Sequence, residues 1–311
     1  MRIAAVDVGS LTVRLAVAER TGPGRFRVLH RQRAITALGE GLSQSGALAP
    51  AALSRTLLAL KDFLPQLQAY GVENCQAVAT QAVRQAGNRQ EALRRLEEIL
   101  GLPVRLLSAQ EEARITYKGV LSVLEPQFLK NPNVIVFDVG GGSSEFAWVR
   151  PESEPHLASL PLGVLTLTQA HPLGDPPEPK AVAALKENIA TQLKIFYLDN
   201  FSPGLIGPSL LVGTAGAVTT LAALALKMTD YDPDRVNNMI LTRSQVADLA
   251  ARLAALPVAA RARLPGLEAA KAGVMVAGAL IVLTILEIFN QDSLVVSDAG
   301  LLEGLLQELA A

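Results

Sequence analysis

The chain has 311 residues, half of them hydrophobic, with a net charge of −1 and a single cysteine. That length and apolar content suffice for about two domains with large cores. The near-neutral charge excludes a basic nucleic-acid surface, and the lone Cys75 excludes an intrachain disulfide or a cysteine-rich metal site.

In chain order, Ile3–Val6 reads as an apolar strand that runs into Asp7-x-Gly9-Ser10, and Leu15–Ala18 as the strand that returns. A chain that opens on such a strand predicts no signal peptide and a cytoplasmic location. "FRVLHRQRA" reads as a third strand. "APAALSRTLLALKDFLPQLQAYG" has helical spacing and a glycine stop. The strand "CQAVAT", the helix "NRQEALRRLEEILG" and the strand "PVRLLS" follow. "SAQEEARITYKGVLSVL" opens with a capping box, Ser108 with Glu111, and continues as an amphipathic helix. Asn131-Pro132 marks a turn into the second part.

That part begins by repeating the opening plan. Val134–Phe137 is an apolar, β-branched run, then come Asp138, Gly140, Gly141, Gly142, Ser143, Ser144 and Glu145, and Phe146–Val149 pairs back. Glycine weakens a sheet unless the backbone turns sharply or something approaches it closely. Three in a row read either as a tight hairpin with polar turn residues or as bare N–H groups facing an anion. The two Asp-x-Gly units predict a duplicated architecture, with hairpins that could pinch one phosphate chain.

Next come "HLASLPLGV", a strand running into a turn, the proline-rich loop "HPLGDPPEP" and the helix "KAVAALKENIATQLKIFYL". "SLLVGTAGAVTTLAALAL" reads as strand, small-residue turn and helix. Ala272–Leu286 is apolar, but it is too short for a bilayer and is closed by Lys271 and Glu287. It predicts a buried helix of a water-soluble fold. The strand "SLVVS" and the helix "GLLEGLLQELA" end the chain. Alternating strands and helices predict an α/β fold with mixed sheets.

These segments, taken together and in this order, resemble the exopolyphosphatase / guanosine pentaphosphate phosphohydrolase (Ppx/GppA) family. The resemblance rests on "DVGSLTVRL", "ATQAVRQAGN" with Thr80, Arg84 and Asn88, "SAQEEARITYKGV", "DVGGGSSE", "LVGTAGAVTTLAAL" and "VVSDAGLLEGLL". It covers essentially the whole chain as the phosphatase core. It implies a two-lobed α/β fold of the actin/hexokinase/Hsp70 type, a duplicated ribonuclease H-like architecture. The expected lobes are 1–124 and 125–311, the last helix packing back on the first.

The resemblance also implies site roles. Glu112 aligns with the family's catalytic glutamate and would polarise the attacking water; on spacing alone it reads as an exposed glutamate in a first helical turn. Asp138 and Glu145 would act on Mg²⁺ or on the water, and Asp7, the symmetry mate of Asp138, on the metal or the turn. Gly9, Ser10, Gly140, Gly141, Gly142 and Ser143 would bind phosphate oxygens. Gly213 and Gly216 would do so at a helix N-terminus, or else serve an ordinary strand-to-helix turn. Arg84 would pair with phosphate, or else be a surface arginine.

The implied activity is Mg²⁺-dependent release of terminal phosphate from polyphosphate or of the γ-phosphate from guanosine pentaphosphate, with no membrane or nucleic-acid partner and a homodimer as one assembly. The chain departs from the family pattern at Leu11, Thr12, Ala109, Lys271, Gly273 and Leu302. These departures keep a second reading open, a non-catalytic sensor of guanosine tetraphosphate or polyphosphate. A kinase of the same superfold is a third. The three histidines are scattered without metal-ligand spacing, and Ser143 lacks a Gly-x-Ser-x-Gly context.

Overall fold

The first sheet grows from the opening hairpin. β1 (Arg2–Val8) pairs antiparallel with β2 (Thr12–Gly22), and β2 pairs antiparallel with β3 (Arg25–Ile35). β4 (Asn74–Ala79) then adds parallel to β1, and β5 (Val104–Leu106) parallel to β4. The order is β3-β2-β1-β4-β5. The second sheet repeats it. β6 (Val134–Val139), β7 (Ser144–Val149) and β8 (His156–Leu160) form the antiparallel meander, and β9 (Leu210–Thr214) adds parallel to β6. After β10 (Ile240–Thr242), β11 (Ser293–Val296) adds parallel to β9, and β10 pairs antiparallel at the rim. Read from β8, the order is again three antiparallel strands followed by two parallel ones. This is the duplicated ribonuclease H-like α/β fold of the actin/hexokinase/Hsp70 class.

The computed structural model describes residues 1–131, 133–151, 153–201 and 209–311; Pro132 of the expected turn lies outside them. The described residues form two compact units, Met1–Ser122 with Gly300–Ala311, and Val123–Ala299.

In the first unit, β1 buries both faces, which is why Ile3–Val6 is an unbroken apolar run. Ala4, Val6 and Val8 face a core of leucines and valines beneath the helices Pro50–Lys61 and Arg89–Leu100. Ile3 and Ala5, with Ala16 and Ala18 of β2, form a small-residue face that admits helices closely. Ile115 and Leu301, Leu302, Leu305 and Leu306 pack there. Two glycines set that approach: a Cβ on Gly119 would overlap the Gly300 carbonyl, and one on Gly304 the Ile115 carbonyl. The helices Ala109–Leu121 and Leu301–Ala310 therefore cross backbone to backbone. Leu302 is core, which accounts for an apolar residue at that departure from the family pattern. Buried Glu303 accepts from the Gly300 N–H at 2.8 Å and from Arg31 at 2.6 Å.

The second unit has a more aromatic core. Phe146 stacks with Phe137 and Phe289, and Phe201 contacts Phe196, Tyr197, Phe289 and the only tryptophan, Trp148. The apolar segment forms the helix Met275–Ile288, buried against the helices Pro179–Asn200, Ala215–Ala225 and Arg243–Ala254. Among the described residues no helix is long and apolar enough to cross a membrane.

Candidate active site

The two hairpin turns have the same construction. Val8 faces Val13, and Val139 faces Ser144, so Gly9–Thr12 and Gly140–Ser143 are the connecting residues. The Gly9 N–H donates to the Thr12 carbonyl at 3.1 Å, and the Gly140 N–H to the Ser143 carbonyl at 2.9 Å. A Cβ on Gly9 would lie 2.9 Å from that oxygen, and one on Gly140 3.0 Å. Both glycines are required by the closeness of the turn.

In the first unit, Asp7 lies opposite Arg14 across the strand pair. Its carboxylate is 2% exposed, and Oδ2 accepts from Arg14 Nε at 2.8 Å and Nη2 at 2.6 Å. A buried carboxylate needs such a partner. Oδ1 has no hydrogen-bond partner among the described residues. The Leu11 carbonyl accepts from the Thr36 and Ala37 N–H groups, and the Ser10 carbonyl from Gly39, so these carbonyls anchor the turn from behind.

Thr80 follows β4, and its N–H donates to Val8 at the end of β1. One turn later Arg84 Nη1 donates to the Leu107 carbonyl at 2.7 Å and to Glu112 Oε2 at 3.2 Å. Glu112 stands in the first turn of the helix Ala109–Leu121, whose capping box is filled by its neighbour. Glu111 Oε2 accepts from the Ser108 N–H at 2.9 Å and hydroxyl at 2.8 Å, and Ser108 accepts from the Glu111 N–H. The adjacent glutamates thus divide the work: Glu111 caps the helix, and Glu112 pairs with Arg84. Asn88 braces the Leu48 backbone, donating to its carbonyl and accepting from its N–H.

In the second unit the three glycines seat on a helix end. The Val164 N–H donates to the Gly140 carbonyl at 3.0 Å, the Leu165 N–H to Gly141 at 2.8 Å, and the Thr166 hydroxyl to Gly142 at 3.4 Å. A trans peptide sets its C=O opposite the following N–H. Carbonyls aimed at the helix Val164–Ala170 therefore send the N–H groups of Gly141, Gly142 and Ser143 the other way, as three consecutive donors suited to an anion. Gly163 permits this seating, since a Cβ there would overlap Gly141 and Gly142.

Asp138 faces Glu145 across β6 and β7. Glu145 is 3% exposed, and its Oε1 accepts from the Ser159 hydroxyl at 2.9 Å. The Ser144 hydroxyl, next in the chain, donates to Leu162 at 2.7 Å. The two residues bring two carboxylates, hard oxygen donors, to the same face of the strand pair. Magnesium takes hard oxygen ligands and keeps several waters, so two carboxylates fit it. Among the described residues there is no cluster of three or more His, Cys, Asp or Glu side chains that could hold a metal ion.

At the third turn the left-handed residue is Ala215, with φ 68°. Gly213 answers to the core: a Cβ there would come within 2.6 Å of the Phe137 ring. Gly216 opens the helix Ala215–Ala225, and Lys271 Nζ lies 3.7 Å from where its Cβ would be. Lys271 is buried and pairs with Glu268 at 3.4 Å.

Motif reading missed two polar partners, Arg14 and Ser159. Arg14 was accessible from hairpin register, since Val8 opposite Val13 sets Asp7 opposite Arg14. Ser159 follows a loop whose length hides the β7–β8 register.

The family model of the Ppx/GppA phosphatase family matches residues 17–311. Exopolyphosphatase 2 of Mycobacterium tuberculosis is 29% identical, over 99% of this chain and 98% of its own. A crystal structure of the Aquifex aeolicus Ppx/GppA family member is 33% identical with a TM-score of 0.80, covering 99% of this chain and 97% of that one. An exopolyphosphatase structure from Cytophaga hutchinsonii shares the fold at a TM-score of 0.88 and 22% identity, covering 100% of this chain and 98% of that one.

Proposed function

Because the chain belongs to the Ppx/GppA phosphatase family, we propose that it hydrolyses phosphoanhydrides, releasing the terminal phosphate of inorganic polyphosphate. The observation that carries this reading is the second hairpin, where the Gly140, Gly141 and Gly142 carbonyls are taken by the helix Val164–Ala170 beside the opposed residues Asp138 and Glu145. Phosphoryl transfer depends on positioning and charge neutralisation more than on covalent chemistry by the protein.

The Gly141, Gly142 and Ser143 N–H groups bind phosphate oxygens. Asp138 and Glu145 would hold magnesium, which would neutralise phosphate charge. Glu112 polarises the attacking water, and Arg84 fixes its carboxylate through the 3.2 Å contact. Asp7 holds Arg14 in place at the first turn. Gly9 and Gly213 keep their backbones close to their neighbours, while Ser10 and Gly216 present polar backbone to substrate.

The test is phosphate release in the presence of magnesium, with polyphosphate and guanosine pentaphosphate side by side, for wild type and Glu112→Ala. Wild type turns over polyphosphate and the variant loses at least ~100-fold. Equal rates for the two proteins overturn the assignment of Glu112. Release from guanosine pentaphosphate alone moves the substrate to the nucleotide. Tight binding of either compound without turnover favours a sensor.

A further inference from the structure

We infer that Ser159 is a positioning residue for Glu145, a role that rests on the phosphohydrolase reading. Three observations carry it. Ser159 stands directly opposite Glu145 in the β7–β8 register, so the backbone ladder fixes the separation of the two residues. The Ser159 hydroxyl donates to Glu145 Oε1 at 2.9 Å. Glu145 is 3% exposed, so water competes little for that oxygen.

A glutamate has three side-chain torsions, and a carboxylate facing Asp138 is pushed away by like charge. The hydroxyl opposes both effects. It commits Oε1 and thereby sets the rotation of the carboxylate about its last torsion. The same stretch of backbone is held a second time, through Ser144 and Leu162. The edge strand β8 therefore aims a group of the hairpin without itself touching substrate. Hydrogen bonds that orient ligating carboxylates act on metal affinity and rate together.

The experiment compares Ser159→Ala, Ser159→Thr and Ser159→Cys with wild type and Glu145→Gln in the full chain. It measures kcat and KM for polyphosphate, the magnesium concentration giving half-maximal rate, calorimetric magnesium affinity, and the thermal midpoint from Trp148 fluorescence. Ser159→Ala lowers kcat about ten-fold and weakens magnesium about ten-fold, with KM within two-fold of wild type. Ser159→Thr keeps the donor and restores both. Ser159→Cys, a weak donor of similar size, follows alanine, and it decides the matter should the alanine variant fail to fold.

A Ser159→Ala protein with wild-type kcat and magnesium response overturns the inference, as does a threonine variant as impaired as alanine. A lowered midpoint with unchanged kinetics also overturns it, because a purely structural role predicts that pattern. Wild-type turnover by Glu145→Gln instead strikes at the proposed function.

Discussion

Arg14 and Glu145 occupy the same place in the two copies of the hairpin. Each stands across the strand pair from the aspartate that precedes the glycine turn, Asp7 in one case and Asp138 in the other. One copy joins opposite charges and is closed by an ion pair. The other sets two carboxylates together. A single residue difference thus separates an aspartate–arginine pair from two opposed carboxylates.

Removing Arg14 leaves Asp7 buried without its charge partner. Arg14→Met destabilises the first unit by roughly 2–3 kcal/mol, somewhat less than a fully buried pair because the arginine is part-exposed. Urea unfolding measures it. Asp7→Asn combined with Arg14→Met recovers much of the loss, since both charges are then gone.

The neighbouring glutamates should separate cleanly. Glu111→Ala removes the capping box and costs about 1 kcal/mol with activity retained. Glu112→Ala abolishes activity with little change in stability. The Arg105 guanidinium, helped by the Ser108 N–H and hydroxyl, holds the Glu111 carboxyl at about 2, below its ordinary 4.5. Its contribution is therefore complete above the unfolded value and is lost as pH falls toward 2. The group is exposed and screened, so the effect is small; a carboxyl titration by NMR reads it directly.

Gly163→Ala should be more harmful than an alanine in a short loop suggests. The methyl group would displace Gly141 and Gly142 from the helix end and turn their N–H groups out of line. Stability falls by about 1–3 kcal/mol, and phosphate release falls by more than ten-fold, in paired melting and rate measurements.

Cys75 is a part-buried thiol in β4, and burial pushes its pKa up to about 11. At pH 8 the thiolate is then on the order of a thousandth of the population. A disulfide reagent labels the native protein at least ~100-fold more slowly than the urea-unfolded chain. Rapid native labelling would show that β4 opens.

The hairpins, the capping box and the buried helix Met275–Ile288 were legible because each is a local pattern: an apolar run into Asp-x-Gly, a Ser-x-x-Glu spacing, a closed apolar segment. β10 is three residues long and carries no periodicity, and the helix Arg243–Ala254 went unread although Thr242 and Gln245 give it a capping box of the same spacing as Ser108 and Glu111. The glycines of the turns were legible as special positions, but the reason for Gly213 was not, and Gly119 and Gly304 read only as parts of helices. Gly213 answers to the Phe137 ring, and Gly119 and Gly304 to a helix crossing between segments far apart in sequence. In the site, Glu112 drew attention through its motif, whereas Ser159 depends on strand register across a loop and could be found only from the folded chain.

The central claim is attack of water on a terminal phosphoryl group, and the first orthophosphate released from each chain in a single turnover of polyphosphate in ¹⁸O-enriched water tests it most directly. Orthophosphate released by wild type carries one solvent oxygen, and Glu112→Gln releases at least ~100-fold less of it. Orthophosphate without solvent oxygen, or equal release by the variant, would contradict the account.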